Sequence, residues 1–389
     1  MTAAEHAARA DHLVAQAPGP RLAPLAERLP SAVPFVGPET QERALGRAFD
    51  ARIGANESVF GPSPKAVAAM QAALPDLWMY GDPTMHDLRE ALAGHHGLAP
   101  ENIIVGEGID GLLGVLTRLL VAQDAPVVTS DGAYPTFNYH IAGFGGRRVA
   151  VPYAGDHEDP DALVAAAASH AAPLIYMANP DNPMGTWHDA ATVQAMIERV
   201  PPGAVLCLDE AYAEFAPAEA LPPIDPQDPR VIRMRTFSKA RGLAGLRVGY
   251  AIGHAELIRA FDKVRNHFGV GRVAQAGALA ALSDDAWLAH VRAQVRIARD
   301  RIAAIAADNG LTALPSAANF VAVDCGARDD GGAFAKAVLD GLVSRGVFVR
   351  MPFVAPMTRC IRVSAGRPAD LDAFAAALPQ TLAEARAAA

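Results

Sequence analysis

Residues 234–250 read MRTFSKARGLAGLRVGY, and how Lys239 in this stretch is read decides the fold. Thr236 and Ser238 stand just before the lysine, a glycine-rich turn follows, and Arg247 lies eight positions on. One reading is a solvated surface lysine. The other is an amine that forms a Schiff base with an aldehyde cofactor. The surroundings favour the second, because two hydroxyls and an arginine fork can converge on a phosphate. The flanking runs VIRMRTF and LRVGYAIG read as short buried strands. The lysine is thereby expected on a strand-end loop of an α/β sheet, where sites usually lie.

At these residues the chain resembles the fold-type I pyridoxal-phosphate (PLP) enzymes, and within them the class I/II aminotransferases. TFSKARGLAGLRVGY is most similar to the histidinol-phosphate aminotransferase branch, and the resemblance spans roughly residues 50–370. It implies the α/β PLP-dependent transferase fold of type I. A large domain would carry a mixed, mostly parallel seven-stranded sheet beside a smaller C-terminal α+β domain. The implied boundaries are 1–50 for an N-terminal arm and the start of the small domain, 51–285 for the large PLP-binding domain, and 286–389 for the small one.

The bulk properties agree with a globular enzyme. A chain of 389 residues, 51% hydrophobic and 20% charged, can bury two sizeable cores. Lys+Arg 34 against Asp+Glu 42 leaves −8, an acidic balance that argues against nucleic acid as a partner. Cys207, Cys325 and Cys360 are far apart and lack metal or disulfide spacing, so free thiols in a reducing cytoplasm and no metal site are expected. No run of about 18 apolar residues suggests a membrane span. MTAAEHAARADHLVAQAPG contains acids and no uninterrupted apolar core, so no secretory signal is expected.

Along the chain, residues 1–50 are proline-studded and read as a helix and arm, with a loosely ordered tail as the alternative for 1–20. The resemblance implies that the arm lies on a partner subunit. Ser63-Pro64 is a helix start, an N-cap followed by a first-turn proline. Gly81–Pro83 is a turn before an amphipathic helix that ends at His95 and His96, read as capping or solvated. NIIVGEGIDGLLGVLTRLL at 102–120 is a strand, a glycine turn and a helix whose free N–H groups suit a phosphate. Its glycine spacing is not that of a dinucleotide fingerprint. LIYMANPDNPMGT at 174–186 and AVLCLDEAYAEFA at 204–216 are buried strands breaking into polar loops, and a carboxylate at the end of a buried strand needs a partner. Residues 263–282 are read as a long helix, with Arg265, His267 and Arg272 as candidates to face the substrate pocket. Beyond about 312, strands and helices alternate.

What the resemblance implies for single residues follows the same order. Asn56 lies in a loop beside the substrate, and Tyr80 reaches across a dimer to the partner's PLP phosphate. The Ile109 and Asp110 amides meet the phosphate together with Thr236, Ser238 and Arg247. Phe137 stacks on the pyridine ring, and Asn182 donates to its phenolic oxygen. Asp209 pairs with the ring nitrogen, and Tyr212 hydrogen-bonds the phenolic oxygen. Lys239 bonds the cofactor and shuttles the proton at the donor Cα. Arg362 takes a substrate carboxylate with Asn319 beside it, and Arg350 takes a substrate phosphate. Glu210 is a structural neighbour.

The function this implies is amino-group transfer by a ping-pong mechanism, in a homodimer with a shared site. It would run between a small-molecule amino donor, histidinol phosphate or an aromatic or hydrophobic amino acid, and a 2-oxo acid. A PLP-dependent decarboxylase or lyase of the same fold is the alternative, because it would use the same contacts. A PLP-binding regulatory domain is disfavoured, since residues 1–50 carry no basic helix-turn-helix pattern.

Overall fold

The structure, a computed structural model, describes residues 20–31, 36–326 and 331–388. The expectation for the N-terminal arm falls mainly on residues 1–19 and 32–35, outside the described residues. The chain divides into two units, Met1–Val33 and Pro34–Ala389. In the first, the described residues carry one short helix, Pro24–Arg28, opened by its proline.

In the second unit the described strands are β1 (Ala51–Arg52), β2 (Ile103–Gly106), β3 (Pro126–Ser130), β4 (Arg147–Val151), β5 (Leu174–Ala178), β6 (Val205–Asp209), β7 (Val231–Thr236), β8 (Gly249–Gly253), β9 (Thr312–Ala313), β10 (Phe320–Asp324), β11 (Val347–Phe348) and β12 (Cys360–Ser364). Seven of them form one sheet in the order β2-β8-β7-β6-β5-β3-β4. Neighbours are parallel except at β8, which runs against both β2 and β7. The mixed, mostly parallel sheet expected from the sequence is therefore present.

β5 and β6 are apolar up to their carboxyl ends because helices cover both faces, and β7 adds Arg233 and Arg235 to its apolar residues. Alternation then sorts their side chains. Tyr176 and Cys207 join Leu113, Leu116 and Phe137 in one core, while Ile175, Met177, Leu206 and Leu208 join Leu163 and Val193 in the other. From β3 the chain moves to β4 on one side and then returns to β5 on the other. That reversal opens a crevice at the carboxyl ends of the strands.

The other strands make a three-stranded antiparallel sheet, β12-β10-β9, and a parallel pair, β1-β11. Helices Asp285–Asp308, Ala333–Ser344 and Pro368–Ala388 share a core with Phe320 and Val363, which also takes Ile53, Tyr212 and Phe215. Residues on both sides of the crevice are thus tied to one apolar cluster.

Two expectations are corrected. Residues 263–282 are not one helix: helix begins only at Arg272, after Gly269 and Gly271, and the long helix is Asp285–Asp308, where the Asp284 carboxylate accepts from Trp287 N at 3.3 Å. His96 is not solvated either. Its Nε2 meets the Tyr250 hydroxyl at 3.0 Å, and burial lowers its pKa to about 3, so it is neutral. Among the described residues no helix is long and apolar enough to cross a membrane.

Candidate active site

The carboxyl ends of β5, β6 and β7 open into a cavity of about 560 Å³. Asp209 is the last residue of β6 and Thr236 the last of β7, with Lys239 just beyond; Asn182 follows β5. From β12 comes Arg362, and from the loop after β1 comes Asn56. Arg362 projects from within β12; the others reach the cavity because the chain leaves a buried strand there and turns polar.

One end of the cavity is built for an anion. The helix Gly108–Leu120 begins here, so the Ile109 and Asp110 amides lie in its first turn, unpaired within the helix. Arg247 closes the other side, its Nη1 donating to Ser238 Oγ at 3.3 Å. The Ser238 amide in turn donates to Thr236 Oγ1 at 3.0 Å. Gly108 has φ +75°, and a Cβ there would stand 2.5 Å from Arg247 Nη2. Gly108→Ala is therefore expected to displace Arg247 and to strain the backbone by about 1–2 kcal/mol. Weaker calorimetric binding of inorganic phosphate and a lower denaturation midpoint would register both effects. Asp110 is an acid in this cradle, but its carboxylate is held by His140 Nε2 at 3.0 Å.

At the centre, Lys239 Nζ donates to the Asn56 carbonyl at 3.0 Å. Burial, then the Arg362 and Arg247 charges, lowers its pKa to about 8, against partial opposition from Glu57 and Asp209. About a tenth of the amine is thus unprotonated and nucleophilic at pH 7. Asn56 Nδ2 donates to the Tyr212 hydroxyl at 3.0 Å, leaving the Tyr212 proton to be given elsewhere. Asp209 accepts from Tyr176 OH at 2.8 Å and from Ala211 N at 2.9 Å. Burial outweighs these donors and raises its pKa to about 6. No cation is hydrogen-bonded to it among the described residues, although it faces the cavity. Glu210, by contrast, is paired with Arg233 and Arg235 behind the site.

The remaining wall combines arginines and apolar groups. Arg362 Nη1 donates to Asn182 Oδ1 and Nη2 to the Gly54 carbonyl, while its Nε is buried with no partner. Arg350 and Arg362 are bridged backbone to backbone, which sets both guanidinium groups on the same cavity; burial and Arg362 lower the Arg350 pKa to about 10. Met351, Pro352, Phe353 and Val354 follow at the mouth, Phe353 being 74% exposed.

Several expected residues lie elsewhere. Phe137 does not line the cavity: it is fully buried, stacked on Tyr176 at 4.6 Å. In this loop the ring on the wall is that of Tyr134, three residues earlier, because Pro135 starts a helix that turns Phe137 into the core. Asn319 also stays off the wall; its Nδ2 donates to the Asn56 and Glu57 carbonyls at 3.0 and 3.3 Å and so holds their loop. Tyr80 is 78% exposed against Phe268, away from its own chain's cavity. Arg265, His267 and Arg272 do not reach the cavity; Arg265 pairs with Asp262 and Arg272 donates to the Tyr80 carbonyl. Sequence reasoning missed Tyr134, Tyr176, Ser364 (hydrogen-bonded to Asn56) and the Asp131–Arg148 pair at the rim. For Tyr134 a signal existed, an aromatic in the loop directly after a buried strand; for the others, none.

Comparison with known proteins adds to this geometry. The family model for aminotransferase class I and II matches residues 52–378. The chain is 36% identical over 346 residues to histidinol-phosphate aminotransferase 1 of Mesorhizobium japonicum, covering 85% of this chain and 90% of that protein. It is 37% identical over 357 residues to histidinol-phosphate aminotransferase 2 of Ralstonia nicotianae, covering 90% and 93%. A crystal structure of histidinol-phosphate aminotransferase from Sinorhizobium meliloti in complex with pyridoxal-5'-phosphate matches with TM-score 0.90 and 53% identity over 95% of this chain and 98% of that one.

Proposed function

Because the chain belongs to the class I and II aminotransferases, we propose that it moves an amino group from histidinol phosphate to a 2-oxo acid with pyridoxal 5'-phosphate as cofactor. One observation carries the fit to the cofactor. Asp209 is a buried carboxylate on the cavity wall whose donors are a phenol and an amide, so it has room for a cation, and a protonated pyridine nitrogen is such a cation. The amine of Lys239, the anion cradle at Gly108 and the Arg247 fork match an aldehyde and a phosphate on one molecule. When bound, pyridoxal phosphate supplies the carbon that accepts the amino group and a ring that stabilises negative charge at the donor Cα.

The residues then divide the work. Arg247, Ser238, Thr236 and the Ile109 and Asp110 amides hold the phosphate. Tyr134, which lines the cavity, would lie against the ring in the place expected of Phe137. The ionised Asp209 keeps the ring nitrogen protonated. Tyr212 donates the proton left free by Asn56 to the phenolic oxygen. Asn182, its carbonyl engaged by Arg362, turns its NH₂ to the same oxygen. The Lys239 amine would take the proton from the donor Cα and return it to the cofactor's aldehyde carbon, on the far side of the transferred nitrogen. Arg362 holds the carboxylate of the 2-oxo acid, and Arg350 the phosphate of the donor. We place residues 51–285 in the cofactor-binding domain and 286–389 in the smaller one.

The protein works as a homodimer in this reading, with Tyr80 reaching the partner's phosphate. An exposed apolar patch of Leu77, Trp78, Tyr80 and Phe268 supports that contact. The free thiols Cys207, Cys325 and Cys360 support a reducing, cytoplasmic setting.

The test is a half-reaction screen: the purified protein is mixed with single amino donors, and pyridoxamine phosphate is followed spectrally against release of CO2 or ammonia. Histidinol phosphate is expected to give the highest kcat/KM. Release of CO2 or ammonia without pyridoxamine phosphate would replace transfer by decarboxylation or elimination. The apolar mouth at Met351–Val354 favours a second donor class, aromatic amino acids. Arg350→Ala separates the two. Loss of a charged hydrogen bond of about 1.5–3 kcal/mol raises the KM for histidinol phosphate by about tenfold or more, and that for phenylalanine little.

A further inference from the structure

Beneath the Asn182 loop, outside the machinery described above, two carboxyl groups meet in the interior. Glu158 and Asp181 are each 2% exposed, and their carboxyl groups lie close enough in the same interior pocket to act on each other's ionisation. Two carboxylates cannot share a hydrogen bond unless one carries a proton. Neither is ion-paired among the described residues. Glu158 accepts from Ser130 Oγ at 2.5 Å and from Ala178 N at 2.8 Å. Asp181 accepts from Tyr153 OH at 3.0 Å and from Met184 N at 3.1 Å.

We propose that Glu158 and Asp181 share a single proton, and that this proton positions the loop bearing Asn182 against Arg362. Glu158 is the partner that carries the proton, and Asp181 the anion that receives it. The network ties together the ends of β3 (Ser130) and β5 (Ala178) and the start of the helix Pro160–His170, next to Glu158. The Asp181 backbone closes the turn, its carbonyl accepting from Gly185 N at 3.1 Å and its amide donating to the Thr186 carbonyl at 2.8 Å, while its carboxylate holds Met184 N. Asn182 is the next residue, with its Oδ1 on Arg362 Nη1. The Asp181 charge also favours the cationic form of Arg362. Glu158 and Asp181 are therefore positioning residues: they act on substrate through Asn182 and Arg362.

Burial raises both acids, Asp181 to about 7 and Glu158 well above its usual range. The other titratable groups facing them are Tyr153, Tyr176, Asp131 and Arg362, with His188 Nε2 on the Glu158 carbonyl at 2.8 Å. Because both pKa values are raised on folding, the folded protein binds more protons than the unfolded chain, and stability falls as pH rises through the pair's titration. Once the shared proton leaves, two buried anions repel each other and the turn moves.

Glu158→Gln is the decisive variant, because it places an N–H where the shared proton sits and keeps an acceptor for Ala178 N. The kinetic consequence rests on amino transfer being the reaction. The shared proton does not, and is read in the full-length, cofactor-free protein. Infrared difference spectra of the wild type at pH 8, above the range where Asp181 or Asp209 holds a proton of its own, are expected to show the C=O stretch of a protonated carboxyl, absent from E158Q. In the loaded enzyme the alkaline loss of kcat/KM should move up by at least about one pH unit in E158Q, equivalent to one pKa unit. Asp181→Asn should raise the KM for the 2-oxo acid about tenfold, as expected for the loss of one charge-assisted interaction, with kcat less affected. A wild type with no protonated-carboxyl band, or an E158Q profile that follows the wild type, overturns the shared proton. Bands as expected with no amino transfer by either protein uphold the pair and overturn the reaction instead.

Discussion

Lys239→Ala should lower kcat by about four orders of magnitude, the upper end for losing one general acid–base group, since the nucleophile is lost with it. No other lysine lines the cavity among the described residues, so nothing can take over either role. Lys239→Arg should be as inactive: it keeps a cation at the site but has no amine that deprotonates near pH 8. Both variants should still bind the cofactor through Arg247 and the Gly108 turn, noncovalently. Borohydride reduction followed by peptide mass analysis tests the assignment directly. In the wild type the cofactor mass should stay on the peptide containing Lys239, and in the variants on none. A label on another lysine, or a variant within tenfold of wild type, would defeat the reading of the whole cavity.

Asp209→Asn should move activity and stability in opposite directions. Removing one partner of a buried charge pair costs about 3–5 kcal/mol, which corresponds to two to three or more orders of magnitude in kcat/KM. The cofactor-free protein should behave differently. Asp209 titrates near 6 there, above its usual 3.8, because burial opposes its charge. Between those values the folded protein retains a proton that the unfolded chain has released, so stability falls as pH rises through the window and stays lower above it. Two pKa units amount to about 3 kcal/mol at most. The variant without cofactor should be the more stable protein at pH 7 by up to that amount, and the difference should vanish near pH 4. Denaturant midpoints at the two pH values decide this. A variant no more stable than wild type at pH 7 would mean that Asp209 is already well solvated or paired, and the fit argument for the ring nitrogen would fall with it.

How much was legible in the sequence depended on whether a residue's setting is local. β5 and β6 could be recognised because strands buried on both faces are apolar up to their ends, while in β7 Arg233 and Arg235 interrupt the apolar run. Lys239 and Arg247 stood out because hydroxyls, lysine, glycine turn and arginine share one short segment. Tyr134 and Phe137 could not be separated, since both flank Pro135 and only the packing of Phe137 on Tyr176 decides which ring meets the cavity. Glu158 lies in AGDHEDP, which looks like an exposed acidic turn; its burial arises from strands remote in sequence. The Asn319 contacts with the loop at Asn56 are of the same long-range kind. The error at 263–282 was avoidable, because Gly269 and Gly271 were visible as helix breakers.

The reversed strand β8 has a bearing on how this molecule is assembled during synthesis. It brings the turn at Gly108 beside Arg247, and Gly249 lies so close to that turn that a Cβ would stand 2.8 Å from the Gly108 carbonyl carbon. The two jaws of the anion cradle therefore come from opposite ends of a long loop, whose closure entropy must be met before they can meet. β2 leaves the ribosome early and waits for β8, so the cradle exists only in chains that have completed the sheet. A ligand that needs both jaws then stabilises the finished protein over its partly folded forms.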